Sequence, residues 1–361
     1  MQCLSFLSSL SFVSGSEEKV FRVFNAPKLF VDLCRNVASQ QVAQVIESAA
    51  KLHGVAAERA DSISLGLTNK AVQTASREQK INLSASTSPP TEEALAQETV
   101  WPEAQKLYGH GYEVYAVAVN PASTIIATSC KANLAEYAAI LLWDARSLEQ
   151  RGKVDAHGLT VTRLAFSPCG RFLLSVSRDR TWSLTAVPNS LAADEDVAVH
   201  VVARMPKGAH SRIIWDCAWT HDSSCFLTAS RDKKLIGWRL ASASANGSSC
   251  EVSDVKPHET LEAPVTAVAS TLYAALPGGN YLACAGLENG SLVLLCFSAQ
   301  LGFSTLRSLE SHSKGITRLA FRPVPGFWTS NASTEDDGDR VTVCLALSSE
   351  DHCVRVHRIT L

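Results

Sequence analysis

The sequence predicts an all-β protein made of similar small sheets stacked side by side, and three observations carry that prediction. An octet of the form apolar–x–x–apolar–Ala–apolar begins at Val114, Val161, Ile214, Val265 and Ile316. The steps between these starts are 47, 53, 51 and 51 residues, a period suited to one supersecondary unit per repeat. Each octet leads into a second apolar run, a tight turn and a third run, the pattern of short strands joined by hairpins.

The unit that starts at Val161 shows the order. A first strand ends at Ser167-Pro168, and a second follows over residues 172–177. The turn is Arg178-Asp179-Arg180, and a third strand covers residues 181–184. Turn acids recur at Asp179, Asp232, Glu288 and Asp351, and six residues after them stand Thr185, Trp238, Leu294 and His357. A histidine precedes the octet at His110, His157, His210 and His312, and Trp143-Asp144 closes the first full unit. These residues resemble the WD40 repeat family. The resemblance implies a β-propeller, in which the His, a Ser or Thr, the turn Asp and the strand Trp of one blade share hydrogen bonds. The unit with His210, Thr228 or Ser230, Asp232 and Trp238 fits best. On this reading His110, Trp143, Asp144, His157, Asp179, His210, Asp232, Trp238, His312 and Asp351 are structural positions. The other units are degenerate and rely more on apolar packing.

The start of the chain reads differently. Residues 1–13 are apolar and Ser-rich, as in a weak signal peptide, yet they lack a basic start and are too short to span a bilayer. Residues 14–24 match a tight turn and last strand, with Glu17 in the acid's place and Val23 six residues on. The chain is therefore expected to open inside a unit, as a truncated product. Residues 1–24 form a partial blade, residues 25–106 an insertion, and residues 107–361 five WD40-type blades. Within the insertion, Leu29, Leu33, Val37, Val42, Val45, Ile46 and Ala49 give a helical stripe with a shift in phase. Residues 68–90 are polar and loose in composition, and Thr91 is placed to cap a short helix. Such an excursion is a solvated loop or a partner-binding element.

Composition excludes several functions. Lys and Arg total 33 against 35 Asp and Glu, so no global field draws nucleic acid or an anionic membrane. The eleven cysteines form no Cys-x-x-Cys pair and no zinc spacing, which reads as free thiols in a reducing compartment. Nucleotide-binding glycine motifs, a nucleophile elbow and a zinc triad are absent from the sequence, so no cofactor, metal or catalytic residue is assigned. The acidic run Glu335-Asp336-Asp337-Gly338-Asp339 reads as a solvated loop ahead of a cation site, and Gly278-Gly279-Asn280 as a turn.

Longer strings are more specific. They include Gly66-Leu67-Thr68-Asn69-Lys70-Ala71-Val72, Trp101-Pro102-Glu103-Ala104-Gln105-Lys106-Leu107-Tyr108-Gly109-His110 and Ser175-Val176-Ser177-Arg178-Asp179-Arg180-Thr181-Trp182. With His210-Ser211-Arg212-Ile213-Ile214-Trp215 and Ser230-Arg231-Asp232-Lys233-Lys234, they resemble the Elongator complex subunit 2 family over nearly the whole chain. That family carries two propellers. The resemblance implies that this chain holds most of the second seven-bladed one, as about five full blades plus a partial one. It also implies a non-catalytic scaffold, cytoplasmic with some nuclear presence. Its partners would be the largest Elongator subunit and the catalytic subunit with radical S-adenosylmethionine and acetyltransferase-like domains. The complex modifies wobble uridine 34 of tRNA toward 5-carboxymethyl-type side chains. Thr185 departs from the family, which has Trp there, and so puts the hydrogen-bonded set of that blade in question.

One cluster is a candidate for partner binding. Arg178 and Arg231 precede turn acids, Arg180, Lys233 and Lys234 follow them, and Arg212 lies at the start of a first strand. The WD40 resemblance places these positions on one end of the ring, where partners dock. Guanidinium groups there suit an acidic protein surface or RNA phosphate. The competing reading has them bracing their own turns through the neighbouring Asp side chains. Three other functions remain open: a direct tRNA-binding surface, a generic WD40 adaptor for other complexes, and a propeller enzyme.

Overall fold

The computed structural model describes residues 3–37, 46, 100–188, 190–191, 199–206, 208–241, 250–274, 276–322 and 342–360. They form six antiparallel sheets. The first holds β1 (Cys3–Ser8), β2 (Ser11–Gly15), β3 (Phe21–Asn25) and β4 (Glu103–Leu107). The second holds β5 (Val114–Val119), β6 (Ile125–Cys130), β7 (Ile140–Asp144) and β8 (Gln150–Val154). The third holds β9 (Val161–Phe166), β10 (Phe172–Ser177), β11 (Trp182–Ala186) and β12 (His200–Arg204). The fourth holds β13 (Ile214–Trp219), β14 (Cys225–Ser230), β15 (Lys234–Leu240) and β16 (Val252–Thr260). The fifth holds β17 (Val265–Ser270), β18 (Tyr281–Leu287), β19 (Ser291–Ser298) and β20 (Gly302–Glu310). The sixth has three strands, β21 (Ile316–Phe321), β22 (Thr342–Ser349) and β23 (Val354–Thr360).

Each sheet has neighbours on its faces, and the strand sequences show it. The second strands β6, β10 and β14 are buried at every position, so they read as apolar or hydroxyl runs without polar alternation. The outer strands β4 and β8 are mostly exposed and correspondingly polar. Five apolar cores lie between successive sheets. One joins Val13, Phe21 and Val23 to Val117, Ile126 and Trp143; another joins Val176 and Trp182 to Phe226 and Trp238. No single sheet buries both faces, so stacking supplies the stability. The inner strands pack in the order β1, β5, β9, β13, β17, β21, and the first and last sheets do not pack on each other as successive ones do. The architecture is that of a β-propeller whose ring is not closed.

Five inner strands carry a bulge at one place, at Tyr115, Thr162, Trp215, Thr266 and Thr317. A bulge leaves one residue out of the ladder and frees its side chain. Thr162 uses that freedom to donate to the Ile214 carbonyl of the next sheet at 2.6 Å, and Thr266 donates in the same way to Ile316.

Three expectations change. The first sheet has four strands instead of the last strands of a unit, and the three-stranded sheet is the sixth. Cys3–Ser8, placed in a partial blade of last strands, is an inner strand. Glu103–Leu107, which straddles the expected end of the insertion at residue 106, pairs with β3 as its outer strand. That pairing joins segments nearly 80 residues apart, which a period near 51 cannot reveal. The third change is one of register. β18 ends at Leu287, so Asn289 holds the turn-acid position and its Oδ1 accepts the Ser291 N–H. Glu288 sits one place earlier, and Leu295, not Leu294, takes the position of Trp238.

Helix α1 (Lys28–Val37) takes up the first part of the predicted stripe. Its Val31 packs with Leu10, Ala26, Ile46 and Trp101 in a small satellite core. The loose stretch at 68–90, the Thr91 cap and the acidic run at 335–339 lie outside the described residues.

Candidate functional site

The rim of the ring is built by the turns that follow the second strands, and buried polar clusters fix those turns. In the fourth sheet, Trp238 Nε1–H donates to Thr228 Oγ1 at 2.9 Å, and the Thr228 hydroxyl meets His210 Nε2 at 2.9 Å. His210 Nδ1–H then donates to Asp232 at 3.2 Å. Asp232 also accepts the N–H groups of Ser211 and Lys234, so its carboxylate ties the turn to the chain entering β13. Burial alone would raise the pKa of Asp232; the His210 bond and the two N–H donors outweigh it and hold it at about 2.

The third sheet keeps the histidine and acid and changes the rest. His157 Nδ1–H donates to Asp179 at 3.1 Å, and His157 Nε2 meets Ser175 Oγ at 2.8 Å. Thr185 stands where Trp238 stands, and Ser183 fills the gap by pairing with Ser175 at 2.8 Å. Thr185 Oγ1 and Trp182 Nε1 have no partner among the described residues. Trp182 is instead fully buried against Phe226 and Trp238, with ring centroids 5.0 and 5.1 Å away. It pins the third sheet to the fourth by apolar contact.

The remaining sheets are partial. In the second, His110 meets Thr128 at 2.9 Å and Trp143 donates to the same hydroxyl at 2.8 Å, but Ala132 holds the acid's position. Desolvation without a carboxylate partner lowers the pKa of His110 to about 4. Asp144 is outside this cluster and accepts the N–H groups of Arg146 and Ser147 in its own turn. In the sixth, His312 donates to Asp351 at 2.9 Å, while His312 Nε2 has no partner among the described residues because Leu347 replaces the hydroxyl. In the fifth, Leu261 and Asn289 replace histidine and acid, and apolar packing alone fills the space.

The basic residues sit on these turns. Arg178 and Arg231 occupy one position, the residue after the second strand, and their N–H groups donate to Thr160 and Ile213. Arg180 and Lys233 also match, both left-handed with φ of 71° and 69°. Arg178, Arg180, Arg212 and Arg231 are exposed. Asp179 and Asp232 are spent on His157, His210 and backbone donors, so these guanidinium groups have no carboxylate partner among the described residues. Lys233 donates its Nζ to the Glu262 carbonyl, and Lys234 is half-buried. The turn-bracing alternative therefore has no contact behind it here.

Around the ring, that position reads Ser16, Lys131, Arg178, Arg231, Glu288 and Glu350. Lys131 is paired with Glu113, so at this position the free positive charge among the described residues falls on the third and fourth sheets. The acids lie on the fifth and sixth. Sequence reasoning missed this division because it placed Glu288 in the acid's slot. It also missed Arg163, Asp216 and Arg318, charged residues on inner strands at positions that the octet leaves open.

The chain matches the family "WD domain, G-beta repeat" over residues 101–136, 148–184 and 204–239. It is 35% identical over 388 residues to "Elongator complex protein 2" of Rattus norvegicus, covering 99% of this chain and 46% of that protein. It is 34% identical over 389 residues to the Homo sapiens protein of that name, with 99% and 46% covered. The Saccharomyces cerevisiae protein of that name is 32% identical over 340 residues, with 88% and 40% covered. The chain spans about half the length of the curated relatives it matches.

Proposed function

Because the chain is a WD40-repeat homologue of Elongator complex protein 2, we propose that it serves as a non-catalytic scaffold surface within an Elongator complex. The alignment over 99% of the chain carries this reading. On it, the blades bind the largest and catalytic subunits and support modification of tRNA wobble uridine 34, in the cytoplasm with some nuclear presence. A preformed ring suits such work, since it binds without the cost of ordering a flexible surface.

The unpaired arginines favour a second, compatible role as an auxiliary contact for tRNA phosphate. Such a contact weakens steeply with salt. The test is affinity purification of the full-length gene product from its own cells, wild type beside a variant with Arg178, Arg180, Arg212 and Arg231 all changed to Ala. Recovery of the other Elongator subunits with wild type supports the scaffold. Their absence refutes it and leaves a generic WD40 adaptor. Loss of bound tRNA alone from the variant assigns the rim to RNA, whereas loss of subunits assigns it to protein.

A further inference from the structure

The inner strands enclose a channel of about 840 Å³, lined by residues from all six sheets. Equivalent positions form layers across it. Tyr115, Thr162, Trp215, Thr266 and Thr317, the bulge residues, form one layer, to which β1 adds none because Cys3 and Leu4 pair without a bulge. The next layer reads Leu4, Ala116, Arg163, Asp216, Ala267 and Arg318. Two cations and one anion thus share one ring inside the fold.

Asp216 is engaged on both oxygens. Its Oδ1 accepts the Cys217 N–H at 2.9 Å and its Oδ2 the Val268 N–H at 3.1 Å, and Arg163 Nε approaches Oδ1 at 3.2 Å. Arg318 lies on the same channel and has no ion-pair partner among the described residues. Its pKa is lowered, first by desolvation and then by the like charge of Arg163. The charge of Asp216 offsets this only in part, since the pKa stays lowered; a desolvated cation without a paired anion is costly, and an anion with several oxygens relieves that cost. The Tyr115 phenol and Trp215 indole line the same space as further donors, whereas the threonine hydroxyls already serve carbonyls.

We propose that this channel is a binding site for a phosphate group, free or on a small phosphorylated molecule, gripped by Arg318 and the terminal nitrogens of Arg163. A tetrahedral dianion suits two guanidinium groups that project from different strands around one lumen, which a single planar carboxylate meets less well. Glu288 and Glu350 line the channel from the rim side and disfavour anions at that mouth. The site is thus separate from the rim arginines and does not depend on the Elongator assignment.

The test is titration of the chain with inorganic phosphate and with pyrophosphate at fixed ionic strength, read by calorimetry and thermal shift. Wild type is expected to bind and to melt higher. Arg318→Gln should fold at least as well unliganded and lose affinity at least tenfold, and Arg318→Lys should keep part of it. Arg178→Ala/Arg231→Ala should bind as wild type does. No binding to wild type at millimolar phosphate overturns the proposal, as does equal binding to Arg318→Gln. Loss in the rim variant alone, or acetate binding as tightly as phosphate, also overturns it.

Discussion

Replacing Thr228 by Val tests whether the buried polar cluster of the fourth sheet stabilises the ring. The swap keeps shape and removes one hydroxyl. That hydroxyl meets both Trp238 Nε1 and His210 Nε2 at 2.9 Å. Thr228 and Trp238 are fully buried, so water cannot replace what is lost. Each buried polar atom left unpaired costs about 1–3 kcal/mol, which gives roughly 2–6 kcal/mol for the pair. Ser175→Ala in the third sheet is the control. There no indole depends on the hydroxyl, and His157 Nε2 keeps Ser183 Oγ at 3.4 Å, so the expected cost is about 1 kcal/mol. Native-state hydrogen exchange of the β14 and β15 amides reads the local loss, because sheets of a repeat fold open separately. Adding Trp238→Phe completes a double-mutant cycle with an expected coupling of about 1 kcal/mol. If Thr228→Val costs no more than Ser175→Ala, or the cycle shows no coupling, the cluster is not a stabilising unit.

Three further outcomes follow from the same geometry. His110 is held neutral, with a folded pKa of about 4 against an ordinary 6.5, so its stabilisation is complete above pH 6.5 and is lost as pH falls toward 4. The loss reaches roughly 3 kcal/mol, and denaturant midpoints between pH 7 and 4.5 should flatten in His110→Asn. Gly290 is left-handed, with φ of 87°, and a Cβ there would lie 2.1 Å from the His312 carbonyl oxygen, so Gly290→Ala should unfold the junction of the fifth and sixth sheets. Limited proteolysis of β19–β21 checks it. Arg180→Gly relieves a left-handed non-glycine residue worth about 1 kcal/mol, partly offset by unfolded-state entropy. That variant should melt no lower than wild type while weakening any rim contact with an acidic surface, a separation that Arg180→Ala would blur.

How much of this was legible depended on whether the signal was local. The pairing of His210 with Asp232 spans 22 residues inside one period, and the repeating pattern made it readable. The pairing of β3 with β4 spans a long excursion and left no periodic mark. Asn289 was misread because Glu288 beside it is acidic, and only strand register shows which of the two faces the turn. Arg318 stands at a position that its octet leaves open. Its place in the channel depends on six strands meeting, which no single octet encodes.

The degeneracy of the blades and the placement of the rim charges are connected. A guanidinium presents itself to a partner only if its backbone is held still and no neighbouring carboxylate captures it. The histidines of the third and fourth sheets meet both conditions at once. His157 and His210 engage Asp179 and Asp232, which orders the turns and removes the acids that sit next to Arg178 and Arg231. In the second sheet the acid is missing, and the equivalent Lys131 is neutralised by Glu113. In the fifth the histidine is missing as well, and the equivalent residue is Glu288. Exposed, unpaired arginine at this position therefore occurs only beside a His–Asp pair, but the pair does not dictate it: the sixth sheet has His312–Asp351 and carries Glu350 there. Changing His157 or His210 to Ala should free the acid to capture its neighbouring arginine. The rim would then weaken as an anion surface with no arginine altered, and salt-dependent binding of a tRNA fragment would report it.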